Sequence, residues 1–330
     1  MIGPARIRQV ATATGFREEI VEKALYLEAI LGQLCRHPDL EGKWTLKGGT
    51  ALNLFWMDVP RLSVDIDINY VGEADLAGMQ AERSRFESAV SACCEREGCA
   101  VRRMPSEHAG GKLHLRYAGG IGGAGSLELD LNFLQRLPLF PVEHRAPRFP
   151  PEAGLRTVPL LSLAETAAGK FAALVTRRAA RDAFDAWQLL DLMPDLLTRR
   201  DVRLAFMVQI AGSRHDARRI DPQAVAVNLK DVRDTLLPLL RVESRPFGGD
   251  VEALAAHVNA ASIKAAQILL DVSRKEREFL DRLLHRGEIA AEALADEPGH
   301  QAVIRGQPLL HWKALNVRKF KGLPAEGRGQ

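Results

Sequence analysis

The sequence predicts an α/β protein of the α+β type, with a sheet flanked by helices in its first half and a mostly α-helical second half. Three observations support this fold class. Runs that alternate polar and apolar residues, which are typical of strands, occur up to residue 134. A proline-rich segment follows at residues 137–159. Beyond that segment, apolar residues recur at the spacing of helices.

The first half contains the predicted strands and two long helices. The helices cover residues 17–35 and 75–98, and the strands cover 44–46, 62–68, 100–104, 112–117 and 126–134. The glycine-rich run at 118–125 lies between two strands and lacks the Lys-Ser or Lys-Thr of a phosphate loop, so we interpret it as a hairpin loop. The prolines beyond the strands predict a surface linker, which separates a domain at 1–150 from a helical domain at 151–330.

The second half begins with a clear helix start. Ser162 and Glu165 have the spacing of a capping box, and a helix rich in small residues follows them. Further helices are predicted at 202–210, 232–240, 251–272 and 276–284.

The composition is that of an ordinary globular protein. Hydrophobic residues make up 46% of the chain, and the net charge of +3 is too small to establish a nucleic-acid partner by itself. No apolar run reaches the length of about 18 residues that a membrane span needs, so we expect no membrane association. The N-terminus lacks the apolar core of a secretory signal, and the cysteines form no CxxC pair. We therefore expect a cytoplasmic protein with reduced thiols and no zinc site.

A glycine turn is the first feature that points to chemistry. Gly48, Gly49 and Thr50 open an apolar helical run at 51–57. Two glycines allow a tight turn with uncovered backbone N–H groups, and the helix N-terminus adds its positive dipole. The turn can therefore hold phosphate, although most such glycine pairs are only turns.

Two carboxylates follow the turn on a single strand face. Because side chains alternate along a strand, Ser63, Asp65 and Asp67 share one face of the strand predicted at 62–68. Like charges so placed repel each other, and a divalent metal with oxygen ligands would neutralise both. An exposed strand face can also carry acids without function, but the turn, helix and acidic strand together predict a phosphate-handling site.

These motifs resemble those of the polymerase-β-like nucleotidyltransferases. The matching runs are KGGTAL at residues 47–52 and RLSVDID at residues 61–67. More narrowly, they resemble the AbiEii/AbiGii-type toxins, which include the MenT tRNA-modifying toxins. The resemblance covers most of the chain and is specific in 46–69 and 162–187.

The second specific segment adds a lysine and an R-D-x-x-D element. Lys170 lies in the small-residue helix, and Arg181, Asp182 and Asp185 match the family element that follows. The resemblance implies that Lys170 and Asp185 extend from the helical domain into the active-site cleft and act in catalysis with Asp65 and Asp67. Alternatives remain open, since Lys170 could extend to solvent and Arg181 could form a surface pair with Asp185.

The resemblance also implies a metal and nucleotide set. Asp65 and Asp67 would hold Mg²⁺, with Asp130 as the third acid and Glu128 as its alternative, unless those two only line an exposed polar strand face. The residues implied in binding the NTP substrate are Gly48, Gly49, Thr50, Arg61, Ser63 and Asp182. Asp182 could instead simply pair with a neighbouring arginine.

The C-terminal end carries most of the basic charge. From residue 301 onward, six lysines and arginines face one acid, which gives +5, whereas the rest of the chain sums to −2. The segment HWKALN at 311–316 resembles the closing W-K-x-x-N of the family, although a tryptophan such as Trp312 is more often a core residue. A basic patch of this kind suits tRNA or is only a solvated tail.

The resemblance implies a Mg²⁺-dependent nucleotidyltransferase toxin of a toxin–antitoxin or abortive-infection system, with a cognate antitoxin. It would transfer a nucleoside monophosphate from an NTP to RNA, at the tRNA 3′ acceptor end, and so block translation. One alternative is the same transfer to a small molecule, such as an antibiotic, or to a protein. Another is a degenerate fold that only binds RNA or a partner.

Overall fold

The computed structural model describes residues 2–104, 110–151 and 157–324, and within them a seven-stranded mixed sheet forms the centre of the first half of the chain. The strands are β1 (Trp44–Lys47), β2 (Asp65–Tyr70), β3 (Ala100–Met104), β4 (Gly110–Ala118), β5 (Ala124–Asn132), β6 (Glu143–Arg145) and β7 (Val158–Leu160). Their order in the sheet is β3-β4-β5-β2-β1-β7-β6. Strands β2 and β5 are parallel, whereas β3, β4 and β5 form an antiparallel meander.

Helices surround the sheet and make up the second half. In the first half they are α1 (Pro4–Thr14), α2 (Glu18–Arg36), α3 (Gly48–Ala51, continued by a π-helix at Leu52–Trp56) and α4 (Leu76–Arg96). In the second half they are α5 (Leu163–Arg177), α6 (Ala180–Leu192), α7 (Arg200–Gly212), α8 (Leu229–Asp231, continued by a π-helix at Val232–Leu236), α9 (Val251–Leu270), α10 (Arg274–Asp281), α11 (Pro298–Gly306) and α12 (Pro308–Lys321).

One face of the sheet is buried against α1, α2 and α4. The alternation predicted for β5 is confirmed, since Leu127, Leu129 and Leu131 are buried in the same apolar cluster as residues of these helices. The polar residues between them therefore point to the opposite face, toward the second half of the chain.

The second half has its own apolar core, formed by α5, α6, α7 and α9. Leu52 and Met57, from the segment that follows the glycine turn, also belong to this core. The segment thus links the two cores and fixes α5 opposite the turn. The predicted α+β class, with a sheet followed by a helical half, is confirmed.

The proline-rich segment differs from its prediction as a linker that ends the sheet. It contributes β6 and β7, and β7 pairs in parallel with β1. The proline content argued against strands here, but a strand of three residues needs few backbone N–H donors. Just beyond Pro159, Leu161 N donates to the Leu46 carbonyl (3.1 Å). The sheet therefore continues past residue 150, where we placed the domain boundary.

Two further expectations differ in detail. The strand predicted from residue 62 begins at Asp65. We also expected no apolar run of membrane-spanning length, but within the described residues α9 meets that criterion by length and composition. It packs in the helical core through Leu254, Val258 and Leu269, and buried core helices pass the same test.

Candidate active site

The glycine turn at the end of β1 forms one wall of the site. Gly48 has φ of +71°, and a Cβ there would lie 2.1 Å from Asp67 Oδ2. A Cβ on Gly49 would lie 2.9 Å from Arg61 Nη2 and 3.3 Å from Lys170 Nζ. Glycine is therefore required because the turn passes directly beside charged side chains of both halves.

Thr50 is placed differently from its expected role in nucleotide binding. Its side chain is buried, and its hydroxyl donates a hydrogen bond to the backbone carbonyl of Asp65. The hydroxyl thus ties the start of α3 to the acidic strand, and Thr50 lines neither of the two cavities described below.

The acids occupy two neighbouring strands at the same level. In the parallel pair of β2 and β5, Asp67 lies opposite Asp130 and Asp65 lies opposite Glu128. Such partners are about 4.8 Å apart in backbone spacing and share a face. Burial, together with the charge of Asp67, raises the pKa of Asp130 even though Lys112 opposes the shift. The sheet therefore concentrates negative charge at one place.

Cations balance these acids from two directions. Arg181 Nη1 lies 3.0 Å from Asp65 Oδ2, and Lys112 Nζ lies 2.7 Å from Glu128 and 3.7 Å from Asp130. Within the described residues, no three acidic, histidine or cysteine side chains surround a common point. The donor chemistry nevertheless fits a divalent cation, since carboxylate oxygens are the ligands that Mg²⁺ prefers and four carboxylates lie at paired positions of β2 and β5.

A buried charge network lies behind the acids. The Asp185 carboxylate accepts from Arg61 Nε (2.8 Å) and Arg61 Nη2 (2.7 Å), and Lys170 Nζ lies 2.8 Å from it. Asn53 Nδ2 donates to the same carboxylate (3.0 Å). Burial alone would raise the pKa of Asp185, but the charges of Arg61 and Lys170 outweigh it and hold that pKa below its ordinary value.

Lys170 also contacts Asp182, at 3.0 Å, and Arg177 Nη2 reaches the other oxygen of Asp182 at 3.0 Å. Burial lowers the pKa of Lys170, but Asp185 and Asp182 outweigh that effect and raise it, so the ammonium is charged. Only 7% of Lys170 is exposed, which excludes its extension into bulk solvent. A surface pair of Arg181 with Asp185 is likewise excluded, because each has another partner.

Two cavities meet at Lys170. The first, here called the carboxylate cavity, has a volume of about 330 Å³. Its lining includes Gly49, Arg61, Ser63, Asp65, Asp67, Lys112, Glu128, Asp130, Lys170, Arg181 and Asp182. Nearly all predicted site residues are thus brought together, while Gly48, Thr50 and Asp185 lie beside or beneath the cavity.

The second cavity, here called the amide cavity, has a volume of about 270 Å³ and also borders Asp67 and Lys170. Lys47 Nζ donates to Gln135 (2.8 Å), whose amide donates to Gln209 (3.0 Å). Sequence reasoning missed the two glutamines because they come from a loop and from α7, without shared periodicity. The sequence signals for this region were the start of the KGG run at residues 47–49 and Lys170, which border the same cavity.

The C-terminal basic residues lie elsewhere. None of those in the described part of the chain lines either cavity. Trp312 is 41% exposed on α12, contrary to the expectation of a core residue, and Lys313 donates to the Ser213 carbonyl (2.7 Å).

Comparison with known proteins places this geometry in a family. No curated protein sequence matches the chain. The chain resembles the structure of MenT4, a nucleotidyltransferase toxin from Mycobacterium tuberculosis H37Rv, with 18% identity, a TM-score of 0.53, and coverage of 94% of this chain and 99% of that one. JHP933 from Helicobacter pylori also matches, with 18% identity, a TM-score of 0.44, and coverage of 81% and 99% respectively. The family profile of the nucleotidyl transferase AbiEii toxin of type IV toxin–antitoxin systems matches residues 30–296. The chain therefore belongs to the AbiEii family of nucleotidyltransferase toxins.

Proposed function

We propose that this nucleotidyltransferase moves a nucleoside monophosphate from an NTP to the 3′ acceptor end of a tRNA and so blocks translation. One observation carries the transfer chemistry. The carboxylates of Asp65, Asp67 and Asp130 and the cations of Lys170 and Arg181 line a single cavity beside a glycine turn. Carboxylates suit a metal and cations suit a triphosphate, and in-line transfer needs both at the same phosphorus.

The acids would hold Mg²⁺. Asp65 and Asp67 come from one strand, and Asp130 is favoured over Glu128 as the third ligand because Lys112 contacts Glu128 more closely. When bound, the metal would supply positive charge to the reacting phosphate and the leaving pyrophosphate.

The cations would hold the triphosphate. Gly48 and Gly49 offer backbone N–H groups at the start of α3. A lysine ammonium has three donors, and Asp182 and Asp185 occupy two of those of Lys170, which leaves one for a phosphate oxygen. Asp185 then acts as a positioning residue, since it fixes both Lys170 and Arg61.

The tRNA acceptor rests on the resemblance to the MenT tRNA-modifying toxins. The test is incubation of the protein with each α-labelled NTP, Mg²⁺ and total RNA, with cell protein and an aminoglycoside in parallel reactions. We expect label in the tRNA band, and none with Asp67→Ala. Label confined to protein or to the small molecule would overturn the tRNA acceptor, and the absence of label in every reaction would overturn the transfer.

We further propose that the protein acts in the cytoplasm and is neutralised by a cognate antitoxin. Membership of a toxin–antitoxin family supports the antitoxin. Expression of the chain alone is expected to arrest growth, and co-expression of the neighbouring gene product is expected to relieve the arrest. Expression of Asp67→Ala at the same level serves as the control. Normal growth with abundant, NTP-active wild-type protein would contradict the toxin assignment.

A further inference from the structure

As far as the chain is described, the polar face of the sheet is open beyond the carboxylate cavity. The exposed residues Arg102, Met104, Arg116 and Ser126 lie on β3, β4 and β5, on the face opposite the buried core. Together with His114 they line a broad depression of about 620 Å³. We call this surface the open sheet face.

The open sheet face continues directly into the carboxylate cavity. In the ladder, Arg102 lies opposite His114, His114 opposite Glu128, and Glu128 opposite Asp65. The next row on the same face runs from Met104 through Lys112 and Asp130 to Asp67. With a strand spacing of about 4.8 Å, Arg102 is roughly 14 Å from the level of Asp65.

Two arginines on this face, Arg102 and Arg116, are exposed. Within the described residues, neither of them forms an ion pair, whereas Arg103, on the opposite face, lies 2.7 Å from Glu87. Because Arg102 faces His114, Arg116 is its diagonal neighbour at about 7–8 Å. A pair of exposed guanidinium groups so placed is suited to successive phosphates, which Arg binds through two parallel hydrogen bonds.

We propose that the open sheet face holds the backbone of the acceptor RNA while its 3′ end enters the carboxylate cavity. This inference rests on the proposed function and extends it to the path of the acceptor. A polymer is favoured because only an extended acceptor reaches Arg102 and Arg116 from the reacting centre, whereas a small molecule would fit within the cavity itself. The charge of the face is complementary to phosphate.

The test is the double variant R102E/R116E with three measurements, namely binding of fluorescent tRNA, binding of NTP, and label transfer. We expect tRNA binding at least about tenfold weaker, with the slope of log K against log salt reduced by about 2, because two phosphate contacts are lost. NTP binding should stay unchanged. R102K/R116K keeps the charge and should bind tRNA within a few fold of wild type, which separates charge loss from misfolding.

The matched control is R274E/R277E, which places the same charge change on the exposed surface of α10. It should leave tRNA binding within twofold of wild type. Wild-type tRNA binding by R102E/R116E, or an equal loss in the control, would overturn the inference. So would a loss confined to K319E/K321E, which would place the RNA on α12. Wild-type protein that binds tRNA but transfers nothing would instead refute the proposed function.

Discussion

The same polar sheet face has two contrasting parts. Over β1 and β2 it faces α5 and α6, and the cations Arg61 and Lys170 are buried and paired with Asp185; we call this the closed part. Over β3 and β4 it is open, and Arg102 and Arg116 are exposed. Burial of charge is costly unless every partner is in place, so the closed part holds one fixed arrangement. The open part keeps its cations available for an external anion.

The largest expected effect is on activity in the closed part. Asp67→Ala should abolish transfer, because the carboxylate beside Gly48 is lost from the proposed metal site. Without metal, stability should stay the same or rise, since one member of a repelling acidic group is removed. Label transfer and urea unfolding measure the two effects.

Glu128→Ala is the control for Asp67→Ala and should retain most of the transfer, because Glu128 already pairs with Lys112. A loss in Glu128→Ala as complete as in Asp67→Ala would make Glu128 the third acid in place of Asp130. Full activity in Asp67→Ala would contradict the metal assignment.

The next effect is on stability. Asp185→Ala leaves the buried charges of Arg61 and Lys170 without their shared carboxylate, and removal of one partner of a buried pair costs about 3–5 kcal/mol. Arg116→Ala, on the open part, should change the free energy of unfolding by less than about 0.5 kcal/mol. Equal unfolding midpoints for the two variants would show that the closed and open parts do not differ energetically.

A third effect concerns pH in the closed part. Burial raises the pKa of Glu165 to about 7, although the backbone N–H groups of Leu139 and Phe140 donate to its carboxylate. The folded state therefore holds a proton that the unfolded state releases near pH 4.5, and the stability contributed by Glu165 falls as pH rises from there to about 7.

Over this pH range, the contribution of Glu165 to the free energy of unfolding should fall by about 3 kcal/mol. Glu165→Gln should flatten the decline, whereas Glu278→Gln, at an exposed position on α10, should leave it intact. The free energy of unfolding measured between pH 4.5 and 7.5 tests this, and an unchanged slope in Glu165→Gln would exclude Glu165 as its source.

The smallest of these effects is expected at Lys170. Lys170→Ala should slow transfer by roughly a hundredfold, because one charged donor to the transition state is lost. Lys170→Arg should rescue poorly, since the planar fork is too large beside Gly49, where a Cβ would already lie 3.3 Å from Nζ. Single-turnover rates give the comparison, and near-wild-type rates in Lys170→Ala would remove the lysine from the mechanism.

Much of the fold was predictable because its signals are local. The helix expected at 17–35 is confirmed as Glu18–Arg36, and the strand expected at 100–104 matches β3. The largest error concerned the linker, where proline content suggested an extended surface segment and short-range patterns could not reveal pairing with β1. The catalytic, nucleotide-binding and metal-binding roles of the site residues stay predictions.

The sequence by itself determined the glycine turn, the shared face of Asp65 and Asp67, and the family, because each depends on neighbouring residues and fixed backbone periods. Only the tertiary structure decided that Asp185 pairs with Arg61, 124 residues away, and that Arg181 reaches Asp65, 116 residues away. Charged side chains carry no periodic signal that names their partners. Their pairing is set by how α5 and α6 pack over the sheet, and by which part of the sheet they leave open.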